Sequence, residues 1–248
     1  MAKDLFSRQA SGYAKYRPTY PPELFRYLAS LTSRHQAAWD CATGNGQAAL
    51  ALAPYFDKVF ATDLSPRQLE QATADPKIEY SVAQAEATPF PENFFDLVAV
   101  AQAYHWFDFE AFAKEVRRVS RPEGIVAVWC YGLANCEDPK VEALIEGFYR
   151  DKVGPYWDKE RKYVEERYAT IPFPYQELPS RSFVMSLSWS REDLLGYLGT
   201  WSSVQHYIEA RGGDPVKELA VPLKAAWPED GAKRFDFPLA LRVGKAGK

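Results

Sequence analysis

The sequence predicts an α/β fold, a mostly parallel sheet with helices on both faces and a helical cap inserted before the closing strands. Three observations carry this. Short apolar runs alternate with helical stretches between residues 37 and 131, the pattern of parallel strands joined by crossover helices. A glycine-bearing turn, Thr43-Gly44-Asn45-Gly46, stops the first of those runs. Two further strand-like stretches, 183–189 and 235–243, close the chain across a mostly helical interval.

The elements follow in order. Residues 22–31 read as a helix started by Pro21-Pro22. Strand one is 37–42, and a helix over 47–53 ends at Pro54. Strand two is 58–62. Ser65 caps a helix with Pro66 at its first position, running to about residue 74. Strand three is 78–83 and strand four 95–101; a helix spans 109–119. Arg121-Pro122-Glu123-Gly124 is expected to turn into strand five, 125–131. Residues 139–156 read as one helix, 183–189 as a strand, 191–208 as a helix capped by Ser190, and 215–226 as another helix. In the final strand, 235–243, Pro238 predicts an edge position or a bulge. The late strands are expected to pair on the sheet.

Composition narrows the function. The chain has 248 residues, 47% hydrophobic and 25% charged, enough to bury a core without metal or disulfide staples. The longest apolar run, 125–131, falls far short of the ~20 residues of a membrane span, and no signal-peptide pattern opens the chain. The net charge of −3 argues against a general nucleic-acid binder. Basic residues concentrate in 1–36 and 232–248, either as solvated surface or as a field suited to an anionic small substrate. Cys41, Cys130 and Cys136 lack metal-ligand spacing and read as inert thiols of a cytoplasmic protein. Phe, Tyr and Trp make up 15% of the chain and gather outside residues 37–103, which suggests the lining of a water-excluding pocket.

The glycine turn is the strongest local signal. Glycines there permit a sharp reversal and close approach of a ligand to the backbone. Asp63, 19 residues after Gly44, can accept hydrogen bonds from both hydroxyls of a ribose. Gly44-x-Gly46-x-x-Ala49 also fits a dinucleotide pattern. Asp40, at the tip of strand one, suits a cationic group better than a pyrophosphate; it can instead stabilise the turn.

Asp40-x-Ala42-x-Gly44-x-Gly46, Ala61-Thr62-Asp63-Leu64-Ser65, Gln84-Ala85-Glu86-Ala87-Thr88-Pro89-Phe90-Pro91, Phe94-Phe95-Asp96-Leu97-Val98 and the 117–124 segment form an ordered series. In that series the chain resembles the class I S-adenosylmethionine-dependent methyltransferases. Ala42 stands where that family usually has glycine, and Gln84 where it often has an acid. The resemblance implies a Rossmann-like sheet of seven strands, the last antiparallel. It implies cofactor contacts from Tyr16, Arg17, Asp40, Ala42, Gly44, Gly46, Asp63, Leu64, Ala85, Glu86 and Gln102. It also implies three stretches in one domain: a lid segment and helix over 1–36, a cofactor-binding core over 37–132, and a cap with closing strands over 133–248.

Phe6-Ser7, Tyr13-x-x-Tyr16-Arg17-Pro18-x-Tyr20-Pro21, Tyr104-His105-Trp106-Phe107-Asp108 and Thr200-Trp201-Ser202-Ser203-Val204 are similar to a small-molecule subgroup that includes trans-aconitate methyltransferase-like proteins. That likeness implies Arg17 near the methionine carboxylate and Tyr16 or Tyr20 over the site. Tyr20, Tyr104, Trp106, Tyr131, Trp157 and Trp201 are candidate substrate-pocket residues, and Phe107, Tyr156 and Tyr207 candidate walls.

The expected activity is methyl transfer from S-adenosyl-L-methionine, leaving S-adenosyl-L-homocysteine, to a small molecule, anionic or neutral, through an oxygen nucleophile such as a carboxylate. His105 is the candidate base or substrate contact. No metal is needed. The partners expected are the substrate and at most a second copy of the chain, with no membrane and no nucleic acid. An NAD-dependent oxidoreductase and a non-catalytic cofactor-binding module are the alternatives.

Overall fold

The computed structural model describes residues 16–247; the motif residues Phe6, Ser7 and Tyr13, and most of the expected lid, lie outside them. Proline sets φ for a first helical turn, and α1 (Pro22–Ser30) begins at Pro22. The alternating region gives β1 (Ala37–Cys41), α2 (Gln47–Leu52), β2 (Lys58–Asp63), α3 (Pro66–Leu69), β3 (Ile78–Val82), β4 (Phe95–Ala101), α4 (Phe109–Val119) and β5 (Ser120–Tyr131). Then follow β6 (Asn135–Cys136), α5 (Pro139–Gly147), α6 (Arg161–Glu165), β7 (Gln176–Glu177), β8 (Phe183–Trp189), α7 (Arg191–Gly199), α8 (Ser202–Arg211), α9 (Pro215–Ala226) and β9 (Lys233–Lys245).

The sheet runs β3-β2-β1-β4-β5-β9, with β1 to β5 parallel and β9 antiparallel to β5. β8 pairs with β9 on its far side, and β6 and β7 are two-residue additions along β9. The expected Rossmann-like sheet of seven strands is thus present, with two short additions. Side chains alternate between its faces. Ala38, Leu97, Ala99, Ile125, Ala127 and Trp129 belong to one apolar core with buried residues of α1, α2 and the cap helices α7 and α9. Trp39, Val98, Val100, Val126 and Val128 meet Phe112, Val116 and Val119 of α4.

Four local expectations are corrected. α3 stops at Leu69, not near residue 74. Turns of the i→i−3 kind carry the chain onward (Gln71 N to Gln68 O, 3.1 Å; Ala72 N to Leu69 O, 3.0 Å), toward Asp75, where the following Pro76 disfavours helix. The 121–124 segment bulges within β5: Phe95 pairs with Ser120 and Leu97 with Ile125. The 139–156 helix passes after Gly147 into a π-turn (Phe148–Lys152), and Pro155, which has no N–H to continue the ladder, stands in the separate 3-10 turn that follows (Gly154–Tyr156). The 191–208 helix divides at Thr200-Trp201, where the Thr200 hydroxyl donates to the Tyr197 carbonyl at 2.6 Å. The expectation for Pro238 agrees with the pairing: the residue is paired with Val184 on one side only, beside a one-residue register slip on the other. The proline is tolerated because pairing on that other side is interrupted between Leu239 and Asp236.

Among the described residues no helix is long and apolar enough to cross a membrane. Cys41, Cys130 and Cys136 are buried free thiols, and burial pushes the Cys130 thiol up to about 12.

Candidate active site

Parallel strands put the ends of β1 to β5 on one edge, and the chain order reverses there between β1 and β4, the usual ligand position of open α/β sheets. A cleft of about 1400 Å³, its open mouth included, lies at that edge. Ala42, Gly44, Asp63, Leu64, Ala85, Glu86, Gln102 and Tyr131 line the sheet side; Trp157, Asp158, Arg161, Tyr197, Trp201 and Ser202 line the cap side.

The glycine turn holds three left-handed residues, Ala42 (φ 55°), Gly44 (φ 58°) and Gly46 (φ 85°). A Cβ on Gly46 would come within 2.5 Å of the Tyr80 hydroxyl, so Gly46 packs against β3 and does not line the cleft. At Gly44 the nearest atom to a Cβ would be Gln68 Oε1 at 4.0 Å, which leaves that backbone open to a ligand. Asp63 closes the turn: its carboxylate accepts from Gly44 N at 2.9 Å and from Ser65 N at 2.8 Å, and it also lines the cleft.

Asp40 sits beneath the turn and outside the cleft wall. Its Oδ2 accepts from the Thr43 hydroxyl at 2.5 Å, while Oδ1 is buried without a partner among the described residues. Burial drives its pKa up to about 7, against the Thr43 and Ala49 hydrogen bonds, and the charge of Asp63 adds to the rise. The open backbone at Gly44 and the strand-end acid Asp63, both on the cleft wall, fit a cofactor that carries a ribose.

The 84–91 loop brings Ala85 and Glu86 to the cleft, and Glu86 Oε1 accepts from Asp108 N at 3.1 Å. Glu115 pins the loop, accepting from Thr88 N at 2.8 Å and Thr88 Oγ1 at 2.5 Å. Arg118 pairs with Glu115 at 2.6 Å and donates to the Phe90 carbonyl at 2.7 Å. Burial pushes the Glu115 carboxyl up, but hydrogen bonds from Arg118 and Thr88 hold it below its usual range. Gln102, left-handed at φ 58°, extends the β4–β5 ladder through its side chain. Nε2 donates to Tyr131 O at 2.9 Å and Oε1 accepts from Tyr131 N at 2.8 Å.

At the cap side Arg17 donates to the Tyr131 hydroxyl at 3.2 Å and to Thr200 O at 3.4 Å. Its guanidinium lies 5.7 Å from the Tyr197 ring centroid. Tyr16 lies against α7, where a Cβ on Gly196 would meet its ring at 2.6 Å. Tyr20 packs edge-on against Trp129 and Tyr131 behind the wall. Tyr104 is buried on the opposite face and donates to Pro172 O at 2.6 Å. His105 and Trp106 do reach the cleft. Tyr168 lies under His105, its hydroxyl 2.8 Å from Nδ1. Burial, then the charge of Arg161, lower the His105 pKa to about 3. Tyr156 and Tyr207 meet edge to face outside the wall, whereas Phe107 is part of it.

Sequence reasoning passed over Arg161, Asp158, Tyr197, Gln68 and Ser202. Arg161 and Asp158 stand in a uniformly charged run with no periodic signal. Gln68 follows the Ser65 cap, which accepts from its N–H at 3.3 Å.

A family pattern described as a methyltransferase domain matches residues 39–128. A Dictyostelium discoideum protein named as a methyltransferase is 33% identical, the alignment covering 98% of this chain and 95% of that one. A solved structure from Anaeromyxobacter dehalogenans, named as a type II methyltransferase, superposes with a TM-score of 0.86 at 40% identity, covering 94% of this chain and 99% of that one. One from Anabaena variabilis, titled as a methyltransferase of an antibiotic biosynthesis pathway, shares the fold at a TM-score of 0.54 and 14% identity, over 90% of this chain and 98% of that one.

Proposed function

The chain belongs to the class I S-adenosylmethionine-dependent methyltransferases, and from that premise we propose that it methylates a small molecule at an oxygen nucleophile, a carboxylate above all. The observation that carries the reading is the two-ended cleft. Its sheet end offers the Gly44 turn and Asp63, and its cap end aromatic rings and two guanidinium groups, Arg17 and Arg161. The similarity of the chain's ends to small-molecule methyltransferases supports the same acceptor class.

When bound, S-adenosylmethionine supplies a methyl group on a sulfonium, already activated by its charge. The chain's own residues bind, orient and exclude water. Asp63 is assigned to the ribose hydroxyls, Leu64, Ala85 and Glu86 to the adenine side, and Arg17 with the Asp40-supported turn to the amino-acid end. Trp106, Trp157, Tyr197 and Trp201 wall off solvent around the acceptor. Alignment with desolvation contributes up to about 7–11 kcal/mol to such reactions. An acceptor carboxylate is ionised at pH 7 and needs no base, in keeping with a His105 whose proton affinity is too low for that role at neutral pH.

Calorimetric titration with S-adenosylhomocysteine tests this. Binding is expected in the wild type, and Asp63→Ala should weaken it by ~1–3 kcal/mol as hydrogen bonds to a charged group are lost. Absence of heat with both cofactor forms would overturn the reading; unchanged affinity in the variant would misplace the ribose.

A further inference from the structure

We infer that Arg161 and His105 form a preorganised subsite for a carboxylate of the acceptor, and that Tyr168 is the positioning residue that makes His105 a hydrogen-bond donor there. The identity of the ligand rests on the methyltransferase reading of the cleft; the subsite itself does not.

Arg161 is held on two sides. Its Nε donates to the Tyr149 hydroxyl at 2.8 Å, which in turn donates to Glu165 at 2.7 Å. Its guanidinium lies 4.3 Å from the Trp157 ring centroid and 5.3 Å from that of Tyr149. The terminal nitrogens make no hydrogen bond or ion pair among the described residues, and the side chain lines the cleft. A guanidinium with its face and Nε committed presents its remaining edge as a fork that matches the two oxygens of a carboxylate.

His105 complements that fork. Tyr168 is fully buried, and burial raises its phenol well above the usual range, so it keeps its proton. A buried hydroxyl needs an acceptor, and among the described residues its side-chain partner is His105 Nδ1. Nδ1 therefore accepts, and the neutral ring carries its proton on Nε2. The backbone is bent to this end. Arg167 (φ 54°) and Tyr168 (φ 59°) are consecutive left-handed residues, neither of them glycine, a costly conformation for L-residues. It is braced by Tyr168 N to Tyr163 O at 2.7 Å and by Arg242 to Tyr168 O at 3.3 Å. Arg17, Asp158, Glu86 and Asp63 are the other charged groups on the cleft wall. Arg17 is engaged with Tyr131 and Thr200, Asp158 lies 3.8 Å from His206 Nδ1, Asp63 and Glu86 lie at the sheet end, and Arg161, on the same wall as His105, is the cation whose charge reaches it.

The test is long-range ¹H–¹⁵N spectroscopy of the imidazoles from pH 5 to 9, with benzoate and its neutral counterpart benzamide titrated into the free and the S-adenosylhomocysteine-loaded protein. The expected result is a neutral Nε2–H His105 throughout, its signals shifted by benzoate, with benzamide binding at least tenfold more weakly. Arg161→Gln should weaken benzoate at least tenfold and leave S-adenosylhomocysteine affinity within twofold. Tyr168→Phe should give a mixture of His105 tautomers in a folded protein. An Nδ1–H tautomer, a His105 titration between pH 5 and 8, equal binding of the two probes, or undiminished benzoate binding by Arg161→Gln would each overturn the inference. Should that variant fail to fold, the two probes on the wild type decide alone. Failure of S-adenosylhomocysteine to bind would sink the cofactor reading, while the free-protein titration still judges the subsite.

Discussion

Asp40 combines a structural and an electrostatic role in one side chain. Its carboxylate supports the glycine turn through Thr43, yet burial raises its pKa to about 7. An acid with a raised folded pKa binds its proton more tightly in the native state. Stability therefore falls as pH rises from the unfolded value near 4 through about 7, and the cost is complete above that. Asp40→Asn removes this linkage. Denaturant titrations should show the variant gaining stability relative to wild type between pH 5 and pH 8; a difference independent of pH would refute the buried ionisation. At this scale the sequence spoke where chemistry is local. Gly44, Asp63 and the Ser65 cap act within a few residues of their positions in the chain or at a strand end. Arg161 was silent because its placement depends on Trp157 and Tyr149 meeting it in space, and nothing in its charged run sets it apart from Lys159 or Lys162. Tyr104 and His105, adjacent in sequence, end on opposite sides of the wall.

At the scale of elements, β1 to β5 and their crossover helices were legible because two-residue and helical periods differ sharply over such lengths. Helix ends in the cap were not, since the Thr200 hydroxyl bond to Tyr197 and the π-turn after Gly147 are features that the period does not encode. The Gln102 amide that replaces a rung between β4 and β5 was equally invisible. One contact between elements has a functional consequence. Gly196 of α7 leaves room for the Tyr16 ring, and Tyr16 precedes Arg17, which reaches Tyr131 and Thr200. Gly196→Ala improves helix propensity by roughly 1 kcal/mol but places a methyl group 2.6 Å from the Tyr16 ring. The helix should survive while the Tyr16-Arg17 segment is displaced. Expected is a near-wild-type melting temperature with S-adenosylhomocysteine affinity reduced about tenfold or more, an energy of order 1.4 kcal/mol. Unchanged affinity would show that this segment does not hold the cofactor.

Over the whole molecule the aromatic excess divides between two uses. Trp39, Trp129, Trp227, Phe95 and Phe112 are fully buried core, so the expectation that aromatic residues serve the pocket holds only for a minority, including Trp106, Phe107, Tyr131, Trp157, Tyr197 and Trp201. Core aromatics join the sheet to its helices; cleft aromatics lie where the sheet edge and the cap face each other across the cavity. A ligand that fills the cleft adds contacts between these two walls and binds the native state alone. At a hundred times its dissociation constant it should stabilise the fold by about 2.7 kcal/mol, a rise in melting temperature of roughly 5–10 °C for a chain of this size. The gain should be uneven. β1, β4 and β5 are buried on both faces and exchange their amide hydrogens only through large openings, whereas residues 157–161 and 197–202 depend on the cap staying closed against the sheet. Hydrogen exchange with and without S-adenosylhomocysteine should show the added protection concentrated in those cap segments and the 84–91 loop. Protection spread evenly over the sheet, or none in the cap, would mean that the two walls do not close on a common ligand.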